Sequence, residues 1–264
     1  MSKLPKEYKF IDLSDYGRAP GRWIAKSLVQ TSVTPIGVTT LFIIVGLLAI
    51  VAMLYNQFVL AAFLLILKSI IDAADGELAR LKKTPSYTGR YYDSIADIVL
   101  NFFFLITFWH LTQDSIFYTF LAFLGIQLQG TVYNYYYVIL RHSVQGDSTS
   151  RIFEDQIPIA LSGEKQTTVN RLHQLHRLLY RVFDRVIYWM DKDAVHSKPF
   201  PKWFMTVISL YGLGFQLLLM AVMLLFQLQH YIIPFFITYS LLIFVFIGVR
   251  RAFLRTEKPR PQPL

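Results

Sequence analysis

The sequence predicts an all-α, polytopic membrane protein with about six transmembrane helices, and three observations carry that expectation. Apolar residues come in blocks, over roughly 36–55, 57–71, 98–113, 115–140, 204–228 and 231–249. A helix needs about 20 mostly apolar residues to cross a bilayer, so most of these blocks can span. Lipid offers the backbone no water, so each crossing segment must satisfy its own polar groups, which makes it helical. Basic residues, finally, sit on one side. Of 26 Lys and Arg, six fall in 1–35, four in 80–90, ten in 141–202 and five in 250–260. The opposite connections, near Tyr55-Asn56-Gln57, Gln113-Asp114-Ser115 and Gln227–His230, carry none. Counted over short loops, this pattern places both termini in the cytoplasm, with the chain in the inner, cytoplasmic membrane.

Composition agrees. The chain is 54% hydrophobic with a mean hydropathy of +0.42, against about 45–50% apolar for soluble domains. The net charge of +9 is a topology signal and an attraction to anionic lipid. No soluble basic domain exists to carry nucleic-acid binding. The absence of cysteine excludes disulfides and thiolate metal sites. The first 30 residues are polar and basic, unlike the apolar core of a cleavable secretory signal.

Taken in order, residues 1–32 form a cytoplasmic juxtamembrane segment. Within it GRWIAKSLVQ (21–30) places Trp23, Ile24 and Leu28 on one helical face beside Arg22 and Lys26, the pattern of an interfacial amphipathic helix. The membrane domain spans 33–250. Its second apolar block is short alone and crosses only if the helix continues through Lys68. A cytoplasmic insertion, 142–203, begins polar (HSVQGDSTS). It then turns amphipathic: Val169, Leu172, Leu175, Leu179, Val182, Val186 and Trp189 recur at three- and four-residue steps, with Arg171, Arg177, Arg181 and Arg185 on other faces. Packing on the bundle, lying on anionic lipid or pairing with a second subunit would each produce that pattern. His173 and His176, three apart, read as solvated residues of a basic helix rather than as a metal site. A basic tail, 251–264, closes with a Pro-rich run over Lys258–Pro263.

The chemistry lies in DAADGELARLKKTPSYTGRYYDSIAD, residues 72–97. Asp72, Asp75 and Ala79 share one helical face, and Asp93 and Asp97 share another. If the second span ends in the first pair and the third begins with the second, the carboxylates face each other at the membrane boundary. Four anions in a low-dielectric pocket repel unless compensated. Lys68, Arg80 or Arg90 offset part of the charge. One or two divalent cations do so better, and oxygen-only ligands suit Mg²⁺, Mn²⁺ or Ca²⁺. Two ions on shared carboxylates are a clamp for moving a phosphoryl group. A transporter would instead place its carboxylates near the bilayer middle, within broken helices.

The residues Asp72-x2-Asp75-Gly76-x2-Ala79-Arg80-x8-Gly89-x3-Asp93-x3-Asp97 resemble the signature of the CDP-alcohol phosphatidyltransferases at every defined position. VTPIGVTT (33–40) is similar to the Thr-Pro-Asn-x-x-Thr start of the first span in many members, with Ile36 in place of Asn. The resemblance implies metal-dependent transfer of a phosphatidyl group from a CDP-linked lipid donor, commonly CDP-diacylglycerol, to an alcohol acceptor, with loss of CMP, in phospholipid biosynthesis. It implies two divalent cations, Mg²⁺ or Mn²⁺, on Asp72, Asp75 and Asp93. Asp97 would share the second ion and act as base, so that Asp93 and Asp97 are the catalytic pair. Gly76 and Ala79 would let cytidine and diphosphate lie against the helix, Arg80 would support that site, and Gly89 would allow close approach there. Arg90, beside Gly89, becomes a phosphate partner. A homodimer is implied as well.

The acceptor is less specified. Asp93-Ser94-Ile95-Ala96-Asp97 lacks the Pro and Lys common in users of glycerol phosphate. It looks more like phosphatidylserine synthases, whose following Ser-Phe-Gly is replaced here by Val99-Leu100-Asn101. Phosphorylated acceptors want an arginine-rich pocket, which Arg141, Arg151 and Arg171–Arg185 could supply. A CDP-amino-alcohol used on diacylglycerol shares the same aspartates.

Overall fold

The computed structural model describes residues 4–144 and 152–254; Arg151, residues 145–150 of the polar stretch and the Pro-rich tail lie outside them. The structure is 79% helical, with no strand among the described residues. Helix α1 (Arg18–Leu28) leads to α2 (Pro35–Leu54), α3 (Phe58–Lys82), α4 (Tyr87–Thr112) and α5 (Ile116–Ser143). Then follow α6 (Gln166–Met190), α7 (Lys202–Ile208), α8 (Leu213–Leu225), α9 (Gln229–Ser240) and α10 (Leu242–Phe253).

All six apolar blocks lie in helices. By length and composition α2, α4, α5 and the continuous pair α9–α10 can each cross a membrane, and α7–α8, bent by 54°, makes a fifth candidate. Helix α3 does run on through Lys68, for 25 residues, about 38 Å at 1.5 Å per residue. Lys68, Asp72 and Asp75 all fall within its first eighteen residues, so it is long enough to span but too charged to score as a plain apolar helix.

Local chemistry fixes the ends that matter. Thr34 caps α2, accepting from the Gly37 N–H at 3.1 Å, and Pro35 occupies the first turn, where its missing N–H costs nothing. Lys83 closes α3 in the left-handed region at φ 54°. Ser86 then caps α4 through the Gly89 N–H at 2.8 Å. This four-residue reversal makes α3 and α4 antiparallel and brings their acidic ends to the same level.

Helix α3 is the centre of the bundle, with α1, α2 and α8 against it, while α2 also packs on α4. The approach of α1 is unusually close. A Cβ at Gly17 would stand 2.9 Å from the Ser69 carbonyl oxygen, and one at Gly21 2.9 Å from that of Ile70. Glycine is therefore required at both. The expected interfacial helix thus docks on α3 through Gly21 and Ala25, while Trp23 on its outer side stays 74% exposed.

A second apolar cluster gathers Tyr136, Ile187, Phe204, Tyr211 and Ile247 where α5, α6, α7 and α10 meet. At its edge lies Asp191, fully buried. Its carboxylate takes the Arg250 guanidinium (Nε at 2.7 Å), the Tyr136 hydroxyl at 2.7 Å and Arg251 at 3.4 Å. Nearby, Asp184 of α6 borders a void of about 10 Å³ with Thr131, Asn134 and Ile152, room for about one water. Burial, reinforced by Glu154 and Asp155, pushes its carboxyl up to about 7. The folded protein then holds a proton that unfolding releases. Stability therefore falls as pH rises through the window from about 4, the ordinary carboxylate value, to about 7. Asp184→Asn is expected to raise the thermal unfolding temperature of the detergent-solubilised protein above about pH 7 and to leave it unchanged below about pH 4.

Candidate metal and nucleotide site

The site is built where α3 leaves the bundle and α4 enters it. Asp72, Asp75 and Asp93 each present a carboxylate oxygen, and the three lie within 4.8 Å of one another. Two oxygens bound to one Mg²⁺ at about 2.1 Å stand up to about 4.2 Å apart. Sub-ångström rotamer shifts would close the set on an ion. Each carboxylate is held differently. Asp75, 8% exposed, accepts the Thr39 hydroxyl at 2.6 Å. Asp72 accepts Lys68 Nζ at 3.0 Å. Asp93 Oδ1 is buried and has no hydrogen-bond partner among the described residues. A buried anionic oxygen without a donor is costly unless something else satisfies it, and hard cations are what such an oxygen set binds.

Asp97 stands apart from that trio. Its carboxylate is engaged by Lys68, which is 1% exposed and bridges Asp97 and Asp72. The ammonium also lies 4.3 Å from the centre of the Phe42 ring. Were all four carboxylates ionised they would outnumber the single ammonium by three, a surplus that a bound divalent cation would relieve.

The remaining sequence-predicted residues divide between two surroundings. Gly76 belongs to the α3 surface beside Arg80, whose guanidinium would lie 3.6 Å from a Cβ at that position. Arg80 itself pairs with Glu77 at 2.9 Å, and Glu77 also meets Arg22 at 3.4 Å and Arg18 at 3.7 Å. These groups, with Lys9 and Asp12, border a cavity of about 400 Å³. Ala79, on the aspartate face of α3, adds no bulk there. Gly89 lies under Ile36, whose side chain would be 3.6 Å from an added Cβ, so the residue in the usual Asn position packs against it. Arg90 is taken up by Glu154 at 2.9 Å.

Sequence reasoning missed the partners that arrive from the insertion. Glu164 accepts the Ser86 hydroxyl at 2.8 Å and the Thr88 N–H at 2.7 Å, at the start of α4. Burial opposes its charge, but the Thr88 and Ser86 donors prevail and hold its carboxyl below the usual range. Tyr180 donates to the Ser94 carbonyl at 2.6 Å, between Asp93 and Asp97 in sequence. His173 is wholly buried, with Nε2 2.8 Å from the Glu154 carbonyl, and both histidines pack on Tyr91. His173 is buried and His176 half-buried rather than solvated, because Tyr91 turns its ring into α6. Burial, with Arg90 adding, lowers His176 to about 4. Thr39 was legible only as part of the motif-like stretch opening the first span.

Fold and cluster together define an integral membrane protein with a cation-competent acidic site at one end of two adjoining membrane helices. The model of the CDP-alcohol phosphatidyltransferase family matches residues 32–169, just over half of the chain. The chain belongs to that family, whose members are transferases acting on CDP-linked alcohols. No curated protein compared with the chain matches it.

Proposed function

We propose that the protein transfers the phosphatidyl group of a CDP-linked lipid, CDP-diacylglycerol foremost, to the hydroxyl of an alcohol, releasing CMP at the cytoplasmic face of the membrane. The observation that carries this reading is the convergence of Asp72, Asp75 and Asp93 from two helices, with one buried carboxylate oxygen left unsatisfied. These three would hold Mg²⁺ or Mn²⁺, and Asp97 would share a second ion. When bound, two such ions neutralise the diphosphate and the charge building on the departing phosphate.

The chain's own residues supply the rest. Thr39 fixes Asp75 in place. Gly76 and Ala79 keep the α3 surface low, so the nucleotide can approach the backbone, and Arg80 lends charge beside it. Gly89 lets α4 pack closely on α2 next to the same pocket. Asp97, held beside Lys68, accepts the proton of the acceptor hydroxyl as its oxygen bonds to phosphorus. The bond from that phosphorus to the CMP oxygen breaks, and CMP leaves with the electron pair. Lipid tails stay in the bilayer while the nucleotide stays in water, which suits a site at the boundary. The arginine-lined cavity beyond Glu77 suits a polar, anionic part of a substrate. By the family's pattern the working form is a homodimer.

The test is CMP release by the purified protein with Mg²⁺ or Mn²⁺ and CDP-diacylglycerol. The acceptor panel is serine, inositol, inositol phosphate, glycerol phosphate and choline. One acceptor is expected to give turnover, and chelation is expected to abolish it. Silence with every acceptor, and with a CDP-amino-alcohol plus diacylglycerol, would remove the proposal.

A further inference from the structure

Helix α6 does not stand on end beside the bundle. In its first third His173 packs on Tyr91, and just past its midpoint Tyr180 reaches Ser94, both partners within the first eight residues of α4. Just past its end, Asp191 meets Tyr136, within the last eight residues of α5, and Arg250, in the last turn of α10. A helix of 25 residues is about 38 Å long, yet both of its ends meet the bundle at the same level, the boundary that carries the aspartates. Its axis therefore runs along the membrane surface.

That placement sorts the residues of α6 into three faces. Val169, His173 and Ile187 are buried against the bundle. Leu175, Leu178, Val182, Val186 and Trp189, at three- and four-residue steps, form a separate apolar stripe. It is open: Leu178 and Val182 at its centre are 75% and 65% exposed, and Trp189 at its end 81%. Arg171, four residues before Leu175, continues the line of the stripe, and Arg181 and Arg185 run along one edge of it; all three are exposed. Arginines beside an apolar stripe, with a Trp at its end, are the make-up of a helix seated among lipid headgroups.

We propose that α6 docks its outer stripe into the leaflet on the aspartate side and that anionic headgroups are recognised by Arg171, Arg181 and Arg185. Charge chooses the occupant. A second copy of α6 offers these arginines no counter-charge, since Asp184 is the helix's sole acidic residue. An anionic leaflet attracts each of them. Because the opposite face of α6 holds α4 through Tyr180 and Ser94, the docked helix ties the lipid surface to the helix bearing Asp93 and Asp97. The inference rests on the membrane-spanning reading and not on the transfer reaction.

The chain has no cysteine, so a single nitroxide can be placed without background. Leu178→Cys and Gln174→Cys, each in the full chain, would be labelled and reconstituted in phosphatidylcholine vesicles with and without phosphatidylglycerol. The expected result is an oxygen-accessible, lipid-facing label at 178 and a water-facing label at 174. Adding phosphatidylglycerol is expected to deepen the label at 178. That shift is expected to be lost in the Arg171→Gln, Arg181→Gln, Arg185→Gln variant. A label at 178 that faces water in both vesicles would overturn docking. Dipolar broadening between copies, with the label closed to both oxygen and a water-soluble nickel chelate, would assign the stripe to a second subunit instead. Equal depth with and without phosphatidylglycerol would overturn the role given to the arginines. None of these readouts requires turnover.

Discussion

Asp93→Asn is expected to lower CMP release by about a thousandfold or more while the bundle stays folded, because this residue offers the least compensated ligand of the cluster. The three carboxylates are not equivalent. Asp75 already accepts a hydroxyl from Thr39, and Asp72 already accepts the Lys68 ammonium. Asp93 Oδ1 takes neither, although it is buried. An amide there keeps the shape and removes the anionic oxygen that a hard divalent cation prefers. Folding should tolerate the change, since removing one of several like charges relieves repulsion. Manganese binding by the purified protein, read by electron paramagnetic resonance, is expected to weaken along with turnover. Asp97→Asn is expected to spare manganese binding more than Asp93→Asn does, because Lys68 already occupies that carboxylate. Turnover within tenfold of wild type for Asp93→Asn would remove the metal role assigned to it.

Arg250→Leu is expected to cost about 3 kcal/mol of stability, the lower end of what leaving a buried ion without its main partner costs. Asp191 is inaccessible to solvent, and Arg250 is its principal cation. The Tyr136 hydroxyl and Arg251 remain to soften the loss. In the double variant with Asp191→Asn much of the penalty should be recovered, since no uncompensated charge is left inside. The unfolding temperatures of the four proteins form a cycle that isolates the pair. Equal losses from the single and double variants would place the cost in lost packing of the long arginine side chain instead.

Much of this architecture was legible because lipid imposes strict rules. The apolar blocks led to the helices directly, and the extension of α3 through Lys68 followed from the length a span requires. The aspartate pairs were legible because helical periodicity places Asp72 with Asp75 and Asp93 with Asp97. Contacts made by single polar residues far apart in sequence could not be read in advance. Nothing periodic announces that Glu164 returns to cap α4, that Glu154 takes Arg90, or that Tyr180 finds the Ser94 carbonyl. Arg90 illustrates the limit. Its position beside Gly89 suggested a phosphate partner, and only the fold brings Glu154 to it. The histidines show the reverse error, in which a helix rich in arginine hid a face buried against Tyr91. For α6 the pattern allowed bundle, lipid or partner, and the burial of Val169 and Ile187 assigns one face to the bundle.

Lys68 has a consequence for how the protein is made. Its ammonium sits where two of the four acidic side chains converge, so the newly inserted chain carries a built-in counter-ion before any mineral arrives. On the proposed reading, stripping divalent cations is expected to stop turnover while the bundle stays folded. In zinc fingers, by contrast, the ion is itself the keystone of the fold.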